Sequence, residues 1–202
     1  MDPVHPLLRP LPSELVGSRP APGRLALVQA FTNSVDLESG VDRMSDIDGF
    51  TGWMATVGLS ESVTPFTEED RRAAIALREN IRALVRDRGS DASGDGLGEH
   101  GLTPSLAESI DHLALTVTYR DGEFRTTSTT VLGAALGPVV DALRAGMSAG
   151  TWLRLKVCAR DKCQWLFYDN SRNLGSHWCT TDVCGSREKA RRAYARSTGK
   201  PE

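Results

Sequence analysis

The four cysteines of this 202-residue chain all fall in its last quarter, as Cys158-x4-Cys163 and Cys179-x4-Cys184. A segment that short cannot bury a core large enough to hold itself together, so a cross-link has to do so. Two pairs of thiolates, each on a tight turn, supply the four soft donors of a tetrahedral Zn2+ shell. Asp161 and Lys162 make the first turn polar, and Thr180, Thr181, Asp182 and Gly185 bracket the second with residues that tolerate turn geometry. Disulfides, iron and a redox dithiol are the competing readings. Disulfides need an oxidising compartment. Residues 1–23 carry Pro3, Pro6, Pro10, Pro12, Pro20 and Pro22 but no continuous apolar run with a cleavage site, so neither a signal peptide nor a membrane anchor is expected and the setting reads as cytoplasmic. Neither pair has the Cys-x-x-Cys spacing of a redox centre. Four thiolates leave no open position for a reactive water, which counts against a zinc hydrolase. His177 could replace a cysteine but reads better as a surface histidine.

Between the pairs, Trp165-Leu166-Phe167-Tyr168 is followed by the turn-rich Asp169 to Gly175 and then by His177-Trp178-Cys179, the pattern of a β-hairpin. After Gly185, Ser186 stands in an N-cap position before a run of strong helix formers from Arg187 to Arg196. Knuckle, hairpin, knuckle, helix is the order of a treble-clef-like finger. Trp165 and Trp178 are expected to pack round the metal.

The modest net charge of −2 hides two oppositely charged parts. Residues 151–202 hold eleven Lys and Arg against five Asp and Glu, a net of +6, which leaves 13 basic and 21 acidic side chains, a net of −8, for residues 1–150. A basic nucleic-acid module on an acidic body fits that asymmetry. Arg187, Lys189, Arg191, Arg192 and Arg196 lie along the expected helix, and Arg172 lies in the turn before it. Arg172 and Arg187 are the preferred contacts, because a guanidinium forks onto phosphate or guanine edges. The alternative is a solvated helix face, or a face that docks on the acidic part.

Residues 24–150 are long enough for a core of their own. Leu25, Leu27, Val28, Phe31 and Val35 predict a helix from Arg24 to about Leu37. A second helix is expected over Ile47–Val57, stopped near Gly58, and a third from Thr67 through Arg88 with acidic residues in its first turn. Gly89 to Gly101 reads as a loop. Leu113, Leu115, Val117 and Tyr119, then Asp121-Gly122, then Phe124 and Thr126–Thr130 predict a hairpin. Val131 to Met147 has helical spacing, weakened or split in the middle by Gly133, Gly137 and Pro138. The expected class is α+β: a mainly helical N-terminal domain with a β-hairpin, then the finger.

The segment from Leu155 to Arg192 resembles the CGNR zinc-finger family. Trp165, Phe167, Tyr168, Asp169, Ser171, Arg172, Asn173, Trp178, Cys179, Cys184, Gly185, Arg187 and Lys189 stand at its motif positions, and Ser186 replaces the Asn of the naming tetrapeptide. Residues 24–150 are similar to the ABATE domain that precedes this finger. That likeness rests on Leu25-Ala26-Leu27, Phe31-Thr32-Asn33-Ser34-Val35, Trp53, Gly58-Leu59 and the Thr67-to-Arg86 helix with Leu77-Arg78. The resemblance implies a stress-induced, DNA-binding transcription regulator with a structural zinc site and an N-terminal sensing or assembly domain. Thr32 and Asn33 interrupt an apolar face and are candidates to line a small-molecule effector site. A single finger seldom gives high specificity, which makes a homodimer through the N-terminal domain one hypothesis for the assembly. A protein-interaction module without DNA binding is the runner-up. An enzyme is not expected, since Thr32, Asn33, Asp36, His100 and His112 are scattered and form no catalytic motif.

Overall fold

The computed structural model describes residues 11–60, 65–90 and 104–198. Its centre is an eight-residue helix with almost no polar face. After a single turn, α1 (Ser13–Val16), helix α2 (Leu25–Thr32) buries Leu25, Leu27, Val28, Ala30 and Phe31 together with Gln29 and Thr32. A helix apolar on every side has to be surrounded. It packs against α6 (Val131–Ser148) and the 23-residue α4 (Glu68–Ser90), with α3 (Ile47–Thr56) closing the layer through Phe50, Trp53 and Met54.

Local signals set most boundaries. Asp46 caps α3 by accepting from Gly49 N at 2.8 Å, and Gly58 beyond its end takes a left-handed φ of 71°. Thr67 and Asp70 exchange hydrogen bonds at the start of α4, a reciprocal cap. Strands β3 (Leu115–Arg120) and β4 (Glu123–Ser128) pair antiparallel across Asp121-Gly122, both at positive φ, as their sequence predicts.

Four expectations on element boundaries are corrected, and one element is added. Helix α2 stops at Thr32, not near Leu37, because Asn33 turns its side chain away, and Val35 then enters a two-residue ladder, β1 (Val35–Asp36) with β2 (Val41–Asp42). Helix α6 is continuous: Gly133 and Gly137 are the places where the β3–β4 hairpin rests on it, and that packing outweighs the weak propensity. Residues 104–111, unassigned from the sequence, form α5 (Pro104–Asp111), with Leu106 buried. The last two corrections concern the hairpin and the cap of the finger, described below. Of the expected Gly89–Gly101 loop, Gly89 and Ser90 complete α4, and residues 91–101, with His100, lie outside the described residues, as do residues 1–10.

The finger shares its core with the helices. A 3-10 turn (Thr151–Arg154) leads from α6 into β5 (Leu155–Val157), which pairs antiparallel with β6 (Leu166–Tyr168). Leu155, Leu166 and Tyr168 belong to the same buried cluster as Phe31, Leu77 and Leu136. The fold is α+β, helical in the body, with small antiparallel hairpins and a C-terminal four-cysteine cluster. No helix among the described residues is long and apolar enough to cross a membrane.

Candidate metal centre and basic surface

The first cysteine pair sits on the connection between β5 and β6. Cys158 N donates to Trp165 O at 2.9 Å and Cys163 N to Arg160 O at 2.8 Å, so the knuckle closes as a hairpin end. The hairpin expected between the cysteine pairs therefore forms across the first knuckle instead. Strand β6 has no edge left for residues 177–179. Its outer edge is taken by the helical body: Tyr168 N donates to Arg19 O, and Asn33 both accepts from Leu166 N at 2.8 Å and donates to Leu166 O at 2.9 Å. The Asn33 carboxamide thus stands where a neighbouring strand's peptide would.

After Tyr168 the chain wraps round the buried Asp169 carboxylate. Ser171 N and Oγ, Ser176 N and Lys156 Nζ all donate to it, at 2.6–3.0 Å. Burial pushes the Asp169 carboxyl up, but the Ser171 hydroxyl, the Lys156 ammonium and the two N–H groups outweigh it and hold the group well below the usual carboxylate range. This turn carries Arg172 into solvent and returns the chain at His177, whose carbonyl accepts from Ala159 N.

The second pair brackets the start of the last helix. Thr180 caps a π-helical turn (Thr181–Gly185) by accepting from Cys184 N, and the chain runs without a break into α7 (Ser186–Thr198). Ser186 is therefore inside the helix, with φ −67° and ψ −42°, and Thr180 is the cap that the sequence assigned to Ser186. The displacement comes from the wide turn, which holds Cys184 within the helical path. A Cβ on Gly185 would meet Trp178 Cδ1 at 3.1 Å, so glycine keeps the indole against the cluster. Trp165 and Trp178 pack round the cysteines, as expected, and Phe167 joins them.

The four Sγ atoms lie within 4.8 Å of one another, with Cys163–Cys179 at 3.7 Å and Cys179–Cys184 at 3.6 Å. Sulfurs about 2.3 Å from a tetrahedral ion sit about 3.8 Å apart, whereas a disulfide needs about 2.05 Å. The cluster fits a shared metal ion. The backbone N–H groups of Cys179 and Arg160 favour the Cys158 thiolate, and that of Trp165 the Cys163 thiolate, as outer groups of a thiolate site do. Cys163 and Cys179 hold the Cys158 thiol low, while Cys158 and burial push the other two up, so four thiolates at this spacing require a cation among them. His177 is exposed beside Trp178 and is not among the clustered ligand atoms.

The basic residues divide into two stripes. On α7, Arg187 and Arg191 are four apart, and Lys189, Arg192 and Arg196 follow three and four apart on another side. Glu188 lies between the stripes, accepting from Arg191 Nη2 at 2.6 Å and Arg192 Nε at 3.1 Å while both guanidinium groups stay about half exposed. Lys189, Arg196 and Arg172 are exposed. Arg187 reaches back to Glu38 of the body.

Several residues that organise this region carry no motif in the sequence. Gln29, fully buried, accepts from Ala21 N and donates to Val16, Arg19 and Leu166 carbonyls. Arg82 donates to Thr32 O and Gln164 O, both at 2.6 Å, while Arg88 stacks over Trp152 and donates to the Trp152 and Leu155 carbonyls. Burial alone brings the Arg88 guanidinium down to about 10. Arg78 forks onto Asp42 at 2.8 and 2.9 Å. Arg78 already carries part of the ABATE likeness, and its i, i+4 spacing with Arg82 is the further hint that these cations fasten one face of α4. Thr32 and Asn33 are both buried: Thr32 Oγ1 donates to Val28 O, and Asn33 spends both ends of its amide on the finger. Asp36 accepts from two N–H groups of its own turn, and His112 ends α5, away from any cluster.

Two family models match the chain. Residues 154–197 match the CGNR zinc finger, and residues 23–149 match ABATE, described as "Putative stress-induced transcription regulator". No curated protein matches. The second match alone spans more than half of the chain, and the four clustered cysteines all lie within the range of the first: the chain belongs to the ABATE family, with a CGNR zinc finger at its C-terminal end.

Proposed function

We propose that the chain is a DNA-binding transcription regulator whose Cys158, Cys163, Cys179 and Cys184 hold one structural Zn2+ and whose cations on α7 and at Arg172 rest on the phosphate backbone. The observation that carries this reading is the half-exposed pair Arg191 and Arg192, held by Glu188 on a helix that starts at the metal cluster. A fixed fork of guanidinium groups on a rigid element meets phosphates at little entropic cost. The family description supports the regulatory and stress-linked part, and the cytoplasmic setting goes with it. The metal itself is assigned no reaction, because four thiolates close its shell.

The helical body is assigned assembly in preference to sensing. Val117, Tyr119 and Phe124 lie on one face of the β3–β4 hairpin at 67, 63 and 78% exposure, with the two rings 5.0 Å apart, and a second copy of the chain would cover them. An effector would need a cavity away from Thr32 and Asn33. The runner-up, a protein-interaction finger, draws support from the carboxylate of Glu38 already bound by Arg187.

Selection of fragments from a genomic DNA pool by the metal-loaded protein, beside an Arg187→Ala/Arg191→Ala variant, tests the reading. Enriched fragments that the variant fails to retain are expected. Absence of retention at low salt with zinc bound would leave the protein-interaction reading.

A further inference from the structure

Glu38 spans the two oppositely charged parts of the molecule. Its Oε2 accepts from Arg160 Nη1 and its Oε1 from Arg187 Nη1, each at 2.6 Å, so one carboxylate is forked between two guanidinium groups of the finger. The turn that carries it is built to present it: Asp36 Oδ1 accepts from the N–H groups of Glu38 and Ser39, and Gly40 takes a φ of 75°. Arg160 is only 16% exposed and sits in the first knuckle two residues after Cys158, with its carbonyl accepting from Cys163 N, so its position is tied to the metal cluster. Arg187 is 53% exposed and the contact opens to solvent.

Two guanidinium groups that each hold one oxygen of a carboxylate are placed to hold two oxygens of a phosphate diester. We propose that Arg160 and Arg187 form a phosphate-binding site for the DNA backbone, which Glu38 fills in the unbound chain and must vacate. This rests on the DNA-binding reading above. Arg160 then joins the contact residues although it belongs to the first knuckle and not to α7. Glu38 acts as an internal competitor, and the apparent affinity is lowered by the fraction of molecules in which it stays bound. The turn springs from a two-residue ladder, Val35 with Asp42 and Asp36 with Val41, whose base is fastened to α4 by the Arg78–Asp42 fork, so the Glu38 carboxylate can leave while the base of the turn stays in place.

The test compares the full metal-loaded chain with Glu38→Gln, Asp161→Asn and the double variant Glu38→Gln/Arg187→Ala for binding to a labelled DNA duplex. Salt runs from about 50 to 200 mM. Asp161→Asn removes the same charge from the exposed first knuckle and serves as the control for overall electrostatics. Glu38→Gln is expected to bind about 3- to 10-fold tighter at the lowest salt, Asp161→Asn less than about twofold, and the double variant to lose the gain. Equal behaviour of Glu38→Gln and Asp161→Asn, with the unaltered chain binding, overturns the proposal and leaves the DNA reading intact. Failure of every form to bind overturns both. A Glu38→Gln form that tightens on poly-glutamate but not on DNA overturns it in favour of an acidic protein partner. Unchanged metal content and unfolding midpoint, repeated with Glu38→Ala, establish that the variants are folded.

Discussion

Asn33 holds the two matched regions together with one amide. The amide pairs with both backbone groups of Leu166, which is fully buried, and also donates to Leu15 O at 3.3 Å, so truncation leaves the Leu166 N–H without its partner and the Leu166 carbonyl held by Gln29 alone. Asn33→Ala is expected to cost about 2–4 kcal/mol, read as a lower urea midpoint with an unchanged slope; a loss below about 0.5 kcal/mol would contradict the strand-like role. Asp169 is the corresponding residue inside the finger. Its folded-state pKa lies below its unfolded value, so its contribution is present above about pH 4 and disappears as pH falls toward the folded value. Asp169→Asn should lose about 2 kcal/mol near neutrality and show a flatter acid limb than the unaltered chain in unfolding series between about pH 6 and 3. Parallel acid limbs would show that the carboxylate's charge is not what holds the turn. The cysteines were legible at this scale, because four of them with no others leave few alternatives. Asn33 and Gln29 were not, since a polar residue on a buried face gives no sign of which distant backbone it will meet.

At the scale of elements, capping and turn chemistry were readable and tertiary packing was not. Helices α3 and α4 and the β3–β4 hairpin follow from Asp46, Thr67 and Asp121-Gly122, all of which act locally. The finger's hairpin was misplaced because its apolar strand, Leu166–Tyr168, could pair on either side, and the body of the molecule decided which edge remained. Glycines show the same division. A Cβ on Gly133 would lie 2.0 Å from Leu113 O and 2.3 Å from Ser128 Oγ, while one on Gly52 meets nothing within 4 Å. Gly133→Ala should therefore force the hairpin off α6 and cost about 2–4 kcal/mol, and Gly52→Ala should stabilise α3 by about 0.5–1 kcal/mol. Thermal unfolding of both variants checks the pair, and equal signs would mean that α6 and the hairpin pack differently from the contact described.

At the scale of the whole molecule, the strands that lead into the cysteine cluster share one buried core with the helices. Leu155, Leu166 and Tyr168 lie in the same cluster as the helices, and Arg82 and Arg88 of α4 donate to carbonyls in the finger segment. Chelation of the metal should therefore lower the unfolding temperature of the entire chain in a single transition; a body that keeps its full stability after the finger melts would contradict the shared core. The division of charge, +6 against −8, was plain in the composition, but the contact of Glu38 with Arg160 and Arg187 was not, because its partners are more than a hundred residues away. The DNA-binding claim is tested most directly by the salt dependence of binding to a selected duplex. With four to six phosphates neutralised by the finger's cations, log K should fall against log salt with a slope of about −4 to −5, and Arg191→Ala/Arg192→Ala should reduce the slope by about two. A slope near zero, or one that the variant leaves unchanged, would contradict a role for α7 on the phosphate backbone.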